Sequence, residues 1–109
     1  MEKTATLMGM AELPVEELAS ILRQGAILRL PYLESRLLQA REQVRYFEKK
    51  YETTLDVLSS QGLPDDANYE MHEDFIEWEY WSDVLHKTVL TVRNVKTLLE
   101  KAEETVGTR

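Results

Sequence analysis

Apolar residues recur along this chain at intervals of seven. Counting from Leu30 gives Leu30, Leu37, Val44, Tyr51 and Leu58, with Leu33, Ala40, Phe47 and Thr54 as companions. Charged residues fill the flanks, among them Glu34, Arg36, Arg41, Glu42, Arg45, Glu48, Lys49, Lys50 and Glu52. An apolar seam with charged flanks, sustained over four heptads, predicts one long helix over 31–60, opened by Pro31. A second series, Met71, Trp78, Leu85, Val92, Leu99 and Val106, has Trp81, Thr88, Val95 and Ala102 as companions. It predicts a helix over 70–105. Phe75, Val84, Val89 and Leu98 widen its stripe beyond a two-helix seam.

The segment between the two series, Gln61-Gly62-Leu63-Pro64-Asp65-Asp66-Ala67-Asn68, predicts a hairpin loop over 61–69. Gly stops a helix, Pro forbids its continuation, and Asp or Asn caps the next one. Upstream, Pro14 and the first-turn pair Glu16 and Glu17 predict a short helix over 14–24, with Gly25 closing it. Its apolar face is Val15, Leu18, Ala19 and Leu22. Residues 1–11 have no period and read as a loose N-terminus, and Gly107-Thr108-Arg109 as a fraying end.

These elements predict a single all-α domain built on a long antiparallel helical hairpin with a short N-terminal helix. A lone hairpin leaves the wide stripe in water, at ~25 cal/mol per Å². Two hairpins joined as a homodimeric four-helix bundle would cover it, as would a different protein. The expected core and dimer seam is Leu30, Leu33, Leu37, Val44, Phe47, Tyr51 and Leu58 on one helix. On the other it is Leu85, Val92, Val95 and Leu99.

Composition supports this reading. Hydrophobic residues are 43% of the 109, enough for a core, and four Gly and three Pro are too few for a turn-rich β fold. With no Cys, disulfides, thiolate zinc sites and Cys nucleophiles are excluded. No signal sequence or membrane span is evident, so a cytoplasmic location is the default expectation.

Charge distribution sharpens the functional picture. From Glu52 to Asp83 there are ten acidic residues and no Lys or Arg, whereas the rest of the chain holds 13 basic and 10 acidic residues. A strongly negative end disfavours direct nucleic-acid binding, which needs a basic face, and favours a basic partner or a cation. The same run carries five of the nine aromatic residues: Tyr69, Phe75, Trp78, Tyr80 and Trp81. Aromatic residues dominate binding hot spots, so Phe75, Glu77, Trp78, Glu79, Tyr80 and Trp81 form the candidate partner-binding set. The blander reading places both tryptophans in the core and treats the acids as a solvated surface.

A metal-dependent all-α enzyme is the alternative. Glu79, Asp83 and His86 stand at i, i+4 and i+7, on one helix face, and Asp83-x-x-His86 has the spacing of carboxylate-bridged metal bundles. Glu73, Asp74 and Glu77 are similar to the acidic helix of all-α nucleotide pyrophosphatases, but the second acidic cluster those enzymes require is missing. No phosphate-cradling Gly loop and no Ser-His-acid set is present. No cofactor is expected on the main reading.

Finally, Arg45-Tyr46-Phe47-Glu48-Lys49-Lys50-Tyr51, an acidic loop, Asp74-Phe75-Ile76-Glu77-Trp78-Glu79 and a long Leu- and Val-bearing helix follow one another. This layout resembles small all-helical prokaryotic proteins encoded in toxin–antitoxin-like gene pairs. The resemblance covers about residues 40–105; here the loop is longer and the last helix richer in Val and Thr. It implies protein binding, as an antitoxin-like or regulatory partner of a basic protein.

Overall fold

A computed structural model of the chain describes residues 13–107, the side chains from 105 onward excepted. The predicted loose residues 1–11 and the end residues Thr108 and Arg109 lie outside this range. The described residues form three helices: α1 (Val15–Tyr51), α2 (Leu55–Gln61) and α3 (Tyr69–Gly107). The all-α class and the helical hairpin stand. Tyr80 meets Arg36, Trp78 meets Phe47 and Asp74 meets Lys50, so α1 and α3 run antiparallel.

The helix boundaries differ from the expected ones in two places. The short helix over 14–24 and the helix starting at Pro31 are one continuous helix, α1, with Gly25 and Pro31 inside it. Pro31 removes the donor that would meet the Ile27 carbonyl, normally a disruption of ~3 kcal/mol. Both side chains are exposed, so the freed carbonyl lies on a side that water reaches. Gly25 does not stop the helix either. A glycine closes a helix only when its backbone turns left-handed, and Gly62 is the one described glycine that does so.

The second difference is at the far end. The helix expected to run to Ser60 stops at Tyr51, because Glu52 adopts a left-handed conformation (φ 54°). Thr54 then starts α2: its Oγ1 accepts a hydrogen bond from the Val57 N–H at 3.3 Å. Thr54, expected in the seam, is therefore an N-cap, and Leu58 belongs to a separate helix. Gly62 ends α2 at φ 80°, donating to the Leu58 carbonyl at 2.7 Å. After the loop, Asn68 caps α3: its Oδ1 accepts from the Met71 N–H at 2.9 Å.

The chain divides into two compact units. Unit 2, Leu33–Thr91, contains an aromatic core. Phe47, Leu58 and Trp78 are buried together, with Tyr51, Leu55, Leu63, Met71, Phe75 and Trp81 packed around them. The Trp78 indole stacks on Phe47 (5.8 Å between centroids, 22°) and on Tyr51 (6.0 Å, 18°). Helix α2 covers this cluster with Leu58. Leu33, Ala40, Val84 and Thr88 are also buried in this unit.

Unit 1 comprises residues 13–32 and 92–107 of the described chain. Its buried residues are small: Ala19, Ala26, Val92 and Ala102. Arg23 reaches Glu103 at 3.7 Å, with both side chains substantially exposed, so this ion pair adds little.

The period of seven holds, and the expected seam spans two rows of unequal burial. In α1 the buried residues are Ala19, Ala26, Leu33, Ala40 and Phe47, seven apart throughout. Leu30, Leu37, Val44 and Tyr51 are half-buried beside them. On α3, Trp78, Thr88, Val92 and Ala102 are buried, while Leu85, Val95 and Leu99 are half-buried.

Candidate partner-binding surface

The start of α3 gathers the acidic and aromatic side chains singled out in the sequence. A helix turns 100° per residue, so its members divide between faces. Trp78 points inward and is fully buried. Phe75 and Trp81 are half-buried against the core. These three pack in the core of unit 2, Trp78 wholly and Phe75 and Trp81 in part. Glu77, Glu79 and Tyr80 are exposed. The Tyr80 ring lies edge-on to Trp81 at 5.1 Å, and its hydroxyl accepts a hydrogen bond from Arg36 Nη2 at 3.3 Å. An aromatic ring held in place on a hydrated acidic surface loses little entropy when a partner covers it.

The metal-ligand set does not assemble. Asp83 pairs with Lys87 at 3.0 Å, one helical turn on, and His86 is exposed. Among the described residues no three His, Asp or Glu side chains converge closely enough to hold a metal ion. Of the pyrophosphatase-like trio, Asp74 is turned to α1.

That contact is the best-built polar feature of the molecule. Asp74 Oδ2 accepts from Lys50 Nζ and from the Tyr51 hydroxyl, each at 2.6 Å. Lys50 also donates to Glu70 Oε2 at 2.5 Å. Burial pushes the Asp74 carboxyl up, but the hydrogen bonds from Lys50 and Tyr51 outweigh it and hold the group below its ordinary value. Hydrogen bonds to Asp74 and Glu70 hold Lys50 protonated well above the ordinary lysine range. Burial, then the hydrogen bond to Asp74, pushes Tyr51 up to about 12.

The same Tyr51 ring stacks on Trp78, so one residue ties the polar network to the aromatic core. Trp78 Nε1 is buried with no hydrogen-bond partner among the described residues. Such an orphan donor costs about 1–3 kcal/mol, which the two stacked rings must offset. Beside the network lies an open pocket of about 330 Å³, lined by Lys50, Tyr51, Asp66, Asn68, Glu70 and Met71.

The heptad period does not reveal this network. A signal was present: Lys50 and Tyr51 end one helix, while Glu70 and Asp74, four apart on one face, begin the next. A hairpin brings such an end and such a beginning together.

Comparison with family models, with curated proteins and with solved structures found no match for this chain. No helix among the described residues is long and apolar enough to cross a membrane.

Proposed function

We propose that this chain is a protein-binding module that acts as a homodimer and receives a basic protein on the exposed acidic surface of α3. An antitoxin-like or regulatory role fits that chemistry. The observation that carries the reading is the separation of charge. Unit 2 holds thirteen Asp and Glu against six Lys and Arg, whereas the described part of unit 1 holds five of each. Lys50, at the end of α1, is committed to Glu70 and Asp74 and so does not neutralise Glu77 or Glu79. Glu77, Glu79 and Tyr80 stay accessible, the two acids flanking the aromatic anchor on either side of the helix.

A photo-reactive residue at position 80, in protein expressed in its native host, tests this reading. The expected outcome is one stoichiometric adduct with a partner rich in Lys and Arg, lost in the double variant Glu77→Lys, Glu79→Lys. No stoichiometric adduct, or an adduct unaffected by charge reversal, refutes it. Binding should also weaken steeply as salt rises, since exposed charges are screened within about 10 Å at 0.1 M.

A further inference from the structure

Unit 1 has an apolar side that its own two helices leave open. Ile21, Leu22, Gly25, Ala26, Val95 and Leu98 line a shallow groove of about 350 Å³. Leu28, seven residues after Ile21, is 80% exposed, and Ile21 is 45% exposed. With Leu18 and Tyr32 these residues occupy one side of α1, next to the row of buried alanines. Gly25 sits in the middle of that side, and a Cβ built there would meet nothing within 4 Å. A glycine inside a helix lowers helix propensity, and no contact among the described residues explains it. It does allow another helix to approach closely.

From this we infer that the open face of unit 1 is where two copies of the chain meet, α1 crossing α1 antiparallel at Gly25. The inference rests on the homodimer part of the proposed function and specifies its surface. Charge selects a second copy as the occupant. Unit 1 is neutral over its described residues, so two copies join there without net repulsion, whereas the acidic surfaces of two unit 2 regions repel. Two-fold symmetry about Gly25 sets Ile21 of one copy beside Arg29 of the other, and both line the groove, so the arginine stem covers the isoleucine while its charge stays in water. The α1 stretch of the face is about 27 Å long, and two helices are about 20 Å wide. A footprint of roughly 500 Å² on each copy is near the lower limit for a specific interface. The dimer should therefore dissociate at micromolar concentrations.

Light scattering of the full chain, from micromolar to millimolar concentration, reads this directly. The expected mass rises from one 12.7 kDa chain toward two. Gly25→Leu should hold it at one chain throughout while helix content by circular dichroism is unchanged, because leucine favours helix more than glycine does. Ile21→Glu should do the same. A second measurement identifies the occupant. The chain has no Cys, so Ile21→Cys can carry a single photo-reactive label. In a mixture of heavy- and light-isotope protein, mixed-isotope adducts within 15–32 or 92–104 support the inference. Same-chain adducts to residues 1–12 would overturn it, showing that the N-terminal segment lies in the groove. A dimer that survives Gly25→Leu and Ile21→Glu overturns the face but leaves the homodimer standing. A single-chain mass at every concentration overturns both, and neither result bears on the position-80 adduct that tests the acidic surface.

Discussion

The two units draw on the same pair of helices and solve the burial problem differently. In unit 2, α2 lies over the helix pair and Phe47, Trp78 and Leu58 close into an aromatic core. Unit 1 has no third element among its described residues, and it buries three alanines and a valine. Alanine contributes little apolar area, so helix pairing in unit 1 gains far less per turn than in unit 2. A two-helix hairpin becomes independently stable when something covers its open side. Within unit 2 a seven-residue helix does this. For unit 1 the inference above assigns the task to a second chain.

Truncating each core tests this comparison most strongly. Trp78→Ala should cost about 3–5 kcal/mol, the range for emptying a buried large aromatic site. In urea unfolding at dilute concentration, Leu28→Ala should change stability by no more than about 0.5 kcal/mol, because Leu28 is 80% exposed in the lone chain. Equal losses would mean that the two units do not differ as described. Hydrogen exchange offers a second view: amides of 15–32 should exchange faster than those of 40–50.

The polar network of unit 2 gives the next effect. Asp74 is 16% exposed and accepts two short charge-assisted or phenolic hydrogen bonds. Asp74→Ala should cost about 1.5–3 kcal/mol, the range for hydrogen bonds to charged groups. The pH dependence follows from the shifts. Asp74 is lowered in the folded state, so its contribution is complete above the ordinary carboxylate value of 3.8 and is lost as pH falls below it. Tyr51 is raised from 10.0 to about 12, so its contribution is complete below pH 10 and is lost as pH climbs from there. Lys50 is also raised, and its contribution fades on the same alkaline side. Asp74→Ala should thus remove the acid flank of the stability–pH curve and only reduce the alkaline one, because burial still raises Tyr51 and Glu70 still holds Lys50. A phenolate that appears by absorbance only near pH 12 should vanish in Tyr51→Phe.

What the sequence disclosed, and what it hid, follows the same division. The period of seven revealed α1 and α3 because burial against a partner helix imposes it over many turns. Asn68 and Pro64 marked the loop because their backbone chemistry is local. Pro31 and Gly25 misled because both are strong local signals, and packing along a 37-residue helix overrides them. Helix α2 was hidden for the opposite reason. Leu58 continues the count from Tyr51, so the period carried straight across a break that Glu52 makes in one residue. Tyr80 lies two residues from Trp78, about 200° around the helix, and is exposed where Trp78 is buried. The count of sevens already set Trp78 on the apolar seam; what it could not supply is that Phe47 and Tyr51 stack on the indole. The Lys50–Asp74 contact required the hairpin register, which a period does not supply.

The lid of unit 2 hangs on two residues with positive φ, and they should respond oppositely to substitution. Gly62 has φ 80° and ψ 164°, a region that is essentially reserved for glycine, so Gly62→Ala should cost about 1–3 kcal/mol. It has open space around its Cα, so the cost is conformational and not steric crowding by neighbours.

Glu52 is the reverse case. Its φ of 54° places a side-chain-bearing residue where a Cβ is penalised by about 1–2 kcal/mol. Glu52→Gly relieves that strain, but glycine also frees the unfolded chain by roughly 0.4–1 kcal/mol. The net gain should be a few tenths to about 1 kcal/mol. It should come from slower opening of α2, because the break between α1 and α2 aims Leu58 at Trp78. Urea unfolding with and without the substitution reads the sign. A loss of stability would show that the Glu52 side chain supplies something its backbone strain offsets. A gain seen equally in a Leu58→Ala background would show that the break acts independently of the lid.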